Sequence, residues 1–221
     1  MKNKTALLIG ATGLVGVECL KELLASAVYT KVIVLARRKP DVQNPKLETI
    51  ITNFDDLDSL KTQIKADDVY CAMGTTIGKA GSQAAFKKVD MEIPLKVAEI
   101  ALWNGAKKFI LVSSIGADPG SMFFYTKVKG QLEQALKMMK YESVLIFRPS
   151  LLLGDRKEKR TGEGIGRLFS EKLPFIFSGP LRKYKGTPVD MLAQVMVELG
   201  GGDGKGFKII ENEEIFELAE K

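Results

Sequence analysis

Residues 7–16 read LLIGATGLVG, an apolar run that ends in a turn containing Gly10, Gly13 and Gly16. The pattern predicts a strand, a tight turn and a helix that begins near Leu14. Glycine at Gly10 and Gly13 lets the turn bend sharply and lets its backbone approach an anion. The helix aims its free N–H groups and the positive end of its dipole at that anion. Together these features are typical of a dinucleotide pyrophosphate site, although glycines also occur in turns that bind nothing.

The composition is that of one soluble globular domain. The chain has 221 residues, of which 45% are hydrophobic and 27% are charged, and we expect residues 1–221 to form a single domain. No apolar stretch reaches the ~18 residues of a membrane span, and residues 1–13 run into the motif strand without a cleavage region. These observations predict a cytoplasmic protein without a membrane partner.

The absence of histidine restricts the chemistry. The chain contains no His and two cysteines, Cys19 and Cys71. Nucleophile systems of the Ser-His-Asp and Cys-His types are therefore excluded, and a transition-metal site is disfavoured. Two cysteines are too few for a disulfide framework, so both are interpreted as structural thiols. Acid–base chemistry must come from Tyr, Lys, Asp or Glu, and no metal is expected.

The basic charge is dispersed. The net charge of +6 comes from Lys and Arg along the whole length, with local clusters only at residues 37–39 and 156–160. A nucleic-acid face normally concentrates its charge and adds aromatic side chains for stacking. We therefore expect no nucleic-acid partner, and we assign the surplus to solvated surface and local anion binding.

Short β-branched runs alternate with longer helical stretches, a pattern that predicts an α/β fold. The expected architecture is a doubly wound, mostly parallel, Rossmann-like sheet with a small C-terminal region that covers the substrate. Strands are predicted at residues 5–9, 31–36, 47–51, 68–72, 108–113, 143–147 and 207–210. Helices are predicted at residues 14–27, 57–64, 83–104 and 123–139, with a kink or break at Pro94 and a connector at residues 200–206.

Residues 151–187 are rich in Gly, Pro and charge, and they predict long loops with small helices. Ligands of open α/β sheets bind beyond the carboxyl ends of the strands. We therefore interpret this region as the cover of a cofactor and the wall of a substrate pocket. A poorly ordered surface loop is the alternative, but the apolar cluster at residues 173–177 disfavours an exposed tether.

Two arginines follow the second predicted strand. Arg37 and Arg38 lie about 20 residues beyond the Gly-rich turn, where NAD-selective sites carry an acidic residue. Arginine instead suits the 2′-phosphate of NADP, because its planar guanidinium donates several hydrogen bonds. The alternative is a charged strand end that faces solvent.

A third group of residues suggests catalysis. Tyr125 and Lys129 lie four residues apart on a predicted helix, so both side chains face one ligand. An ammonium close to a phenol stabilises its phenolate form, which makes Tyr125 a candidate general acid or base. Ser114, at the carboxyl end of a predicted strand, is placed to donate a hydrogen bond to the same substrate oxygen. Taken alone, the Tyr and Lys spacing is common on amphipathic surfaces.

Six segments together resemble a known family. They are GATGLVG, LARRKP, CAMGTTIGKAGS, VSSIGA, YTKVKG and FRPSLLLGDR, and they span residues 7–156. The chain resembles the short-chain dehydrogenase/reductase superfamily, in particular its atypical NADP-binding branch and the Tat-interacting-protein-type oxidoreductases. Semialdehyde dehydrogenases share the GATGxVG opening, but they are set aside because this chain has no His.

The resemblance implies an NADP(H) cofactor and a set of contacts with it. The pyrophosphate cradle is Gly10, Thr12, Gly13, Leu14 and Val15. Arg37 and Arg38 hold the 2′-phosphate, Asp55 lies near the adenine, and Met73 and Gly74 lie beside the cofactor. Tyr125 is the catalytic acid, Lys129 holds the nicotinamide ribose, and Pro149 to Leu152 line the nicotinamide.

One departure from the family concerns Asp90. Many members have an Asn there that supports a proton-relay water, so either the carboxylate holds such a water or the relay is absent. The expected function is hydride transfer between NADP(H) and a small carbonyl or alcohol substrate. The alternative is an NADP(H)-binding redox sensor that reports to a regulatory protein partner without turnover.

Overall fold

A parallel sheet of seven strands, in the order β3-β2-β1-β4-β5-β6-β9, forms the centre of the computed structural model, which describes residues 3–154 and 184–220. Every neighbouring pair in this sheet is parallel. Its strands are β1 (Lys4–Ile9), β2 (Tyr29–Ala36), β3 (Leu47–Ile51), β4 (Asp68–Cys71), β5 (Lys108–Val112), β6 (Ser143–Arg148) and β9 (Gly206–Glu211). Strands β7 (Leu152–Leu153) and β8 (Thr187–Pro188) form a separate parallel pair. The predicted fold class is confirmed.

Helices cover both faces of the sheet. They are α1 (Leu14–Ala25), α2 (Ile77–Ala80), α3 (Gln83–Lys87), α4 (Ile93–Trp103), α5 (Phe124–Met138), α6 (Val189–Gly201) and α7 (Asn212–Ala219). Alternate residues of β1 point to opposite faces, as in any strand. Leu8 therefore joins a core with α1 and α6, whereas Leu7 and Ile9 join a second core with α4 and α5.

The first turn depends on two close backbone approaches. Gly10 has φ +86°, and a Cβ there would lie 2.5 Å from the Ala72 carbonyl carbon. A Cβ at Gly16 would lie 2.0 Å from the Gly10 carbonyl oxygen. Only glycine permits α1 to start this close to β1 and to the end of β4. The turn therefore lies between the carboxyl ends of β1 and β4. The strand order reverses at this point, because β2 and β3 lie on one side of β1 whereas β4, β5 and β6 lie on the other.

The helix predicted at residues 57–64 is wrong. Only the single 3-10 turn Asp58–Leu60 forms there. The side-chain amide of Asn104 donates to the carbonyl oxygens of Lys61 and Ile64, both at 2.7 Å. These hydrogen bonds hold the segment after the turn against the end of α4, and Leu57 and Ile64 stay buried in the core.

The helix predicted at residues 83–104 is interrupted. Helix α3 passes into a π-helical turn, Lys88–Glu92, and α4 starts only at Ile93. Pro94 has no N–H group to donate to the carbonyl oxygen of Asp90, four residues earlier in the π-helical turn. The irregularity therefore lies in the turn that a proline at this position perturbs, and Asp90 within it is buried in the protein interior, where the residue is 1% exposed. π-helical turns of this kind occur frequently at functional sites.

The C-terminal part contains elements that the sequence did not reveal. Helix α6 extends through Gly201, so the connector predicted at residues 200–206 is helical at its start. The buried Lys108 ammonium donates to the Gly200 carbonyl oxygen at 3.1 Å and stabilises this helix end.

Of the region predicted to cover the site, residues 155–183 lie outside the described residues. The assignment of one domain stays a prediction.

We predict that Gly16→Ala destabilises the protein although alanine favours helix. The added methyl group meets the Gly10 backbone, which cannot move without disturbing β1, and overpacking of this kind costs about 1–3 kcal/mol. Gly13→Ala is the matched control, because its Cβ would meet the Gly10 oxygen only at 3.2 Å. The measurement is urea unfolding of both variants. Equal free energies of unfolding would contradict the close crossing.

Candidate functional site

The Gly-rich turn leads into the N-terminus of α1, whose positive charge no acidic side chain neutralises. This N-terminus lies at the carboxyl ends of the strands. Gly13 is the N-cap of α1, with φ −81° and ψ 171°, and neither a capping side chain nor an acidic residue occupies the first turn. The first N–H groups of a helix have no partner within it. Thr12 and Gly13 are exposed, Leu14 is half-buried and Val15 is buried. The local arrangement fits an anion bound by backbone N–H groups, as a dinucleotide pyrophosphate is.

Two exposed guanidinium groups lie at the end of the neighbouring strand. Arg37 and Arg38 directly follow β2, which pairs with β1. Within residues 3–154 and 184–220, neither forms an ion pair with a carboxylate. Two unpaired cations beside the turn fit a phosphate group bound at this strand end.

The loops after β3 and β4 carry the next predicted residues. Asp55 is exposed, and its carboxylate forms an ion pair with the Lys88 ammonium at 2.8 Å. Met73 is half-buried and Gly74 is exposed after the end of β4. A Cβ at Gly74 would lie 3.4 Å from Asp90 Oδ1 and 3.6 Å from Lys129 Nζ. The loop after β4 therefore passes directly over a buried pair of charges.

That pair consists of Asp90 and Lys129. The Lys129 ammonium lies 2.7 Å from Asp90 Oδ1, and the two side chains are 5% and 0% exposed. Asp90 Oδ2 also accepts a hydrogen bond from the Thr75 N–H at 2.9 Å. Burial by itself would lower the pKa of the Lys129 ammonium, but Asp90 and Tyr125 outweigh burial and raise this pKa. Lys129 is consequently a buried cation.

Tyr125 lies one helical turn before Lys129 on the same face of α5. Its side chain is 36% exposed, and its ring packs against Phe86 with the ring centroids 5.6 Å apart. Within the described part of the chain its hydroxyl makes no hydrogen bond. The structure thus brings Tyr125, Lys129, Asp90 and Gly74 to one place.

Two serines follow β5, and the structure distinguishes them. The Ser113 hydroxyl donates to the Glu133 carboxylate. The Ser114 hydroxyl oxygen is buried and has no hydrogen-bond partner among the described residues. Buried hydroxyl groups without partners are uncommon in native structures. Ser114 is therefore the serine that is free for a ligand.

A charged network beneath these serines was missed by the sequence reasoning. Glu133 is 4% exposed and accepts hydrogen bonds from Arg148 Nε at 3.1 Å and from Nη2 at 2.5 Å. The other guanidinium contacts are with the Ala117 carbonyl at 3.0 Å and Glu211 Oε1 at 2.9 Å. The hydrogen bonds that Arg148 donates to Glu133 raise the pKa of Arg148 above its usual range. One signal was present, because Glu133 continues the four-residue spacing of Tyr125 and Lys129.

The segment after β6 carries the last predicted residues. Pro149 is buried, and its carbonyl oxygen accepts the Ile115 N–H at 2.9 Å. Leu152 is half-buried in β7. The hydrogen bond from Ile115 joins the segments that follow β5 and β6, so Pro149 lies at the same edge of the sheet as Ser114.

A family model described as NAD(P)H-binding matches residues 10–164. Several curated relatives match almost the whole chain. Protein HTATIP2 of Rattus norvegicus is 35% identical over 222 residues, covering 99% of this chain and 90% of the relative. Protein FMP52-1, mitochondrial, of Scheffersomyces stipitis is 35% identical over 228 residues, covering 98% and 99%.

The prediction of a cytoplasmic protein is corrected by these relatives. Relatives from Scheffersomyces stipitis, Candida albicans, Emericella nidulans and Eremothecium gossypii are all named as mitochondrial. The prediction rested on an interpretation of the N-terminal residues and on the lack of an apolar span, and neither argument fixes a compartment. None of the helices in residues 3–154 and 184–220 has the length and apolar character needed to cross a membrane.

Solved structures share the fold. The Bordetella bronchiseptica enzyme WbmH in complex with NAD+ has a TM-score of 0.72 and 16% identity, covering 98% of this chain and 79% of that chain. A UDP-N-acetylglucosamine 4-epimerase from Methanobrevibacter ruminantium M1 has a TM-score of 0.70 and 17% identity, covering 100% and 81%. With the family model and the curated relatives, the sheet order and the Gly-rich turn show that the chain belongs to the NAD(P)H-binding family and has a Rossmann-like fold.

Proposed function

We propose that the protein is an NADP(H)-dependent oxidoreductase that transfers hydride to or from a small carbonyl or alcohol substrate. The observation that carries the proposal is the buried, charged Lys129 one helical turn from Tyr125 and directly beneath the loop at Gly74. An ammonium in this position serves a bound ribose and a neighbouring phenol together. The unpartnered Ser114 hydroxyl at the same sheet edge supplies a further donor.

The residues around the turn fit the cofactor. Backbone N–H groups at residues 12–15 hold the pyrophosphate, with Gly10 and Gly13 leaving space for it. Asp55 lies toward the adenine, Met73 and Gly74 lie along the cofactor, and Lys129 donates to the nicotinamide ribose. Pro149 and Leu152 line the nicotinamide side. When bound, NADPH supplies the hydride.

The protein's own residues supply the proton and the orientation. In the reductive direction Tyr125 donates its hydroxyl proton to the substrate carbonyl oxygen as that oxygen gains negative charge. Ser114 donates a hydrogen bond to the same oxygen and fixes the carbonyl in place. The Lys129 ammonium stabilises the resulting phenolate. In the oxidative direction Tyr125 accepts the proton instead.

Selectivity for NADP(H) over NAD(H) comes from Arg37 and Arg38 in this proposal. Both are exposed, both follow β2, and neither is bound to a carboxylate in the described part of the chain. A 2′-phosphate gains charge-assisted hydrogen bonds from such groups, whereas a 2′-hydroxyl gains little. In this proposal the 2′ group, in which the two cofactors differ, binds at the end of β2.

The double variant Arg37→Ala/Arg38→Ala is expected to lose NADPH affinity but to retain NADH affinity. Each charge-assisted contact contributes about 1.5–3 kcal/mol, or roughly tenfold to a hundredfold in affinity. The measurement is a titration by cofactor fluorescence. A control variant, Lys21→Ala/Lys61→Ala, removes two surface charges away from the turn. Equal losses for both cofactors would show that the arginines do not read the 2′-phosphate.

Tyr125→Phe is expected to lower turnover by roughly 10²-fold or more, the scale of a lost general acid. NADPH affinity should remain unchanged, because the ring and its packing on Phe86 are kept. The measurement is NADPH oxidation over a panel of small aldehydes and ketones, together with a cofactor titration. Undiminished turnover in the variant would exclude Tyr125 as the proton donor.

A second candidate function is NADP(H)-dependent signalling to a protein partner. It is favoured by two large apolar side chains directly before α5, since Met122 is 96% exposed and Phe123 is 76% exposed. Exposed neighbouring apolar side chains are typical of a contact surface. Because Tyr125 follows them in the chain, a bound partner would sense the occupancy of the dinucleotide site.

Two measurements separate the candidates. The sensor function predicts tight NADPH binding without NADPH oxidation on any substrate of the panel. It also predicts that partner capture depends on NADPH and is lost in Met122→Ser/Phe123→Ser. Turnover that is unaffected by that double variant, with no captured partner, would support the oxidoreductase alone.

A further inference from the structure

Asp90 occupies an unusual place for a carboxylate. It lies in the π-helical turn Lys88–Glu92 and is 1% exposed. Its Oδ2 accepts the Thr75 N–H at 2.9 Å, and its Oδ1 lies 2.7 Å from Lys129 Nζ. One side chain therefore ties the loop after β4 to the ammonium on α5.

Burial disfavours the charged form of Lys129 unless a counter-charge lies beside it. A lysine buried without a counter-charge tends to lose its proton, since the charged form is poorly solvated. The carboxylate of Asp90 opposes that tendency by direct attraction. A buried ion pair adds little net stability, because two charges must be removed from water. The Asp90–Lys129 pair is better explained by a need for a charged ammonium beneath the loop at Gly74.

The pair also lies next to the open edge of the sheet. Gly74 is exposed, and a methyl group at that position would contact both Asp90 Oδ1 and Lys129 Nζ. The absent side chain leaves the ammonium within reach of a ligand that passes over the loop. The carboxylate lies against the same loop backbone through Thr75.

We propose that Asp90 is a positioning residue for the dinucleotide: its carboxylate keeps the Lys129 ammonium charged and holds it against the Gly74–Thr75 loop. The proposal rests on the proposed role of Lys129 in holding the ribose of NADP(H). Asp90 itself touches neither the cofactor nor the substrate in this arrangement; it acts through Lys129 and through the Thr75 N–H.

Two further ionisable groups face the pair. Cys71 on β4 is buried, and burial raises the pKa of its thiol to about 12, so that it stays neutral in a titration up to pH 10. Tyr125 on α5 is the other group. The experiment therefore uses a Tyr125→Phe background, which removes the phenol and leaves the charge of Lys129 as the property that is tested between pH 7 and 10.

The first measurement is NADPH affinity against pH in that background. With Asp90 present, Lys129 stays charged and the affinity should change little between pH 7 and 9.5. Asp90→Asn keeps an acceptor for Thr75 but removes the charge, so the pKa of Lys129 falls and affinity should drop by roughly tenfold across the same range. Adding Lys129→Met should abolish this pH dependence.

The second measurement is the free energy of unfolding of the unliganded protein. With Asp90 present, the raised pKa of Lys129 gives stability that is fully present below the unfolded value and is lost only at higher pH. In Asp90→Asn the pKa lies below the unfolded value, so the stability of that variant should rise from pH 7 to 10. The loss caused by the substitution should therefore shrink with rising pH.

Asp58→Asn is the matched control, because Asp58 forms exposed ion pairs with Lys61 and Lys96, both at 2.9 Å. Its effect on stability should not vary between pH 7 and 10. A loss in Asp90→Asn that is equally independent of pH would overturn the proposal, since a merely structural hydrogen bond behaves in that way. If the parent binds no NADPH, the proposed function and the ligand role of Asp90 fail together. The unfolding measurement still decides whether Asp90 controls the charge of Lys129.

Discussion

The close crossing of α1 over β1 is the constraint on which the rest of the site depends. A side-chain carbon at Gly16 would meet the Gly10 carbonyl oxygen at 2.0 Å, and one at Gly10 would meet the end of β4 at 2.5 Å. These approaches fix the start of α1 beside the loop that contains Gly74. The helix N-terminus and the charges beneath that loop therefore belong to one edge of one sheet. Parallel pairing of β4, β5 and β6 brings Ser114 and Pro149 to the same edge.

The cationic side chains at this edge of the sheet differ in burial and in whether a carboxylate neutralises their charge. Arg37 and Arg38 are exposed, and the described residues offer them no carboxylate. Water solvates them at little cost, so they need no fixed partner before a ligand arrives. Lys129 is buried, and there an unbalanced charge would be expensive. Its partner Asp90 belongs to an irregular turn of another helix, so the fold supplies the counter-charge from outside α5.

Local patterns predicted the strands well, and long-range contacts explain the errors. The strand at residues 143–147, SVLIF, was recognisable as an apolar run between polar residues, and the strand at residues 47–51, LETII, was recognisable from its β-branched residues. The predicted helix at residues 57–64 forms only a 3-10 turn, and the segment after that turn is held by hydrogen bonds from Asn104, about 40 residues away and invisible to a local pattern. Spacing placed Tyr125 and Lys129 on one helix face. It could not show that Asp90 binds Lys129 or that Glu133 binds Arg148, because neither partner is near in sequence.

Helix α5 shows why the free hydroxyl groups are the best candidates for chemistry. Tyr125, Lys129 and Glu133 form a polar stripe at four-residue spacing, beside the apolar face that carries Val128, Leu132 and Leu136. Burial increases along this stripe, from a partly exposed Tyr125 to Lys129 and Glu133, which are each 4% exposed. Both buried charges are matched, by Asp90 and by Arg148, and Ser113 is held by Glu133. Within the described chain, Tyr125 and Ser114 keep hydroxyl groups without partners, as expected where a ligand completes the hydrogen bonding.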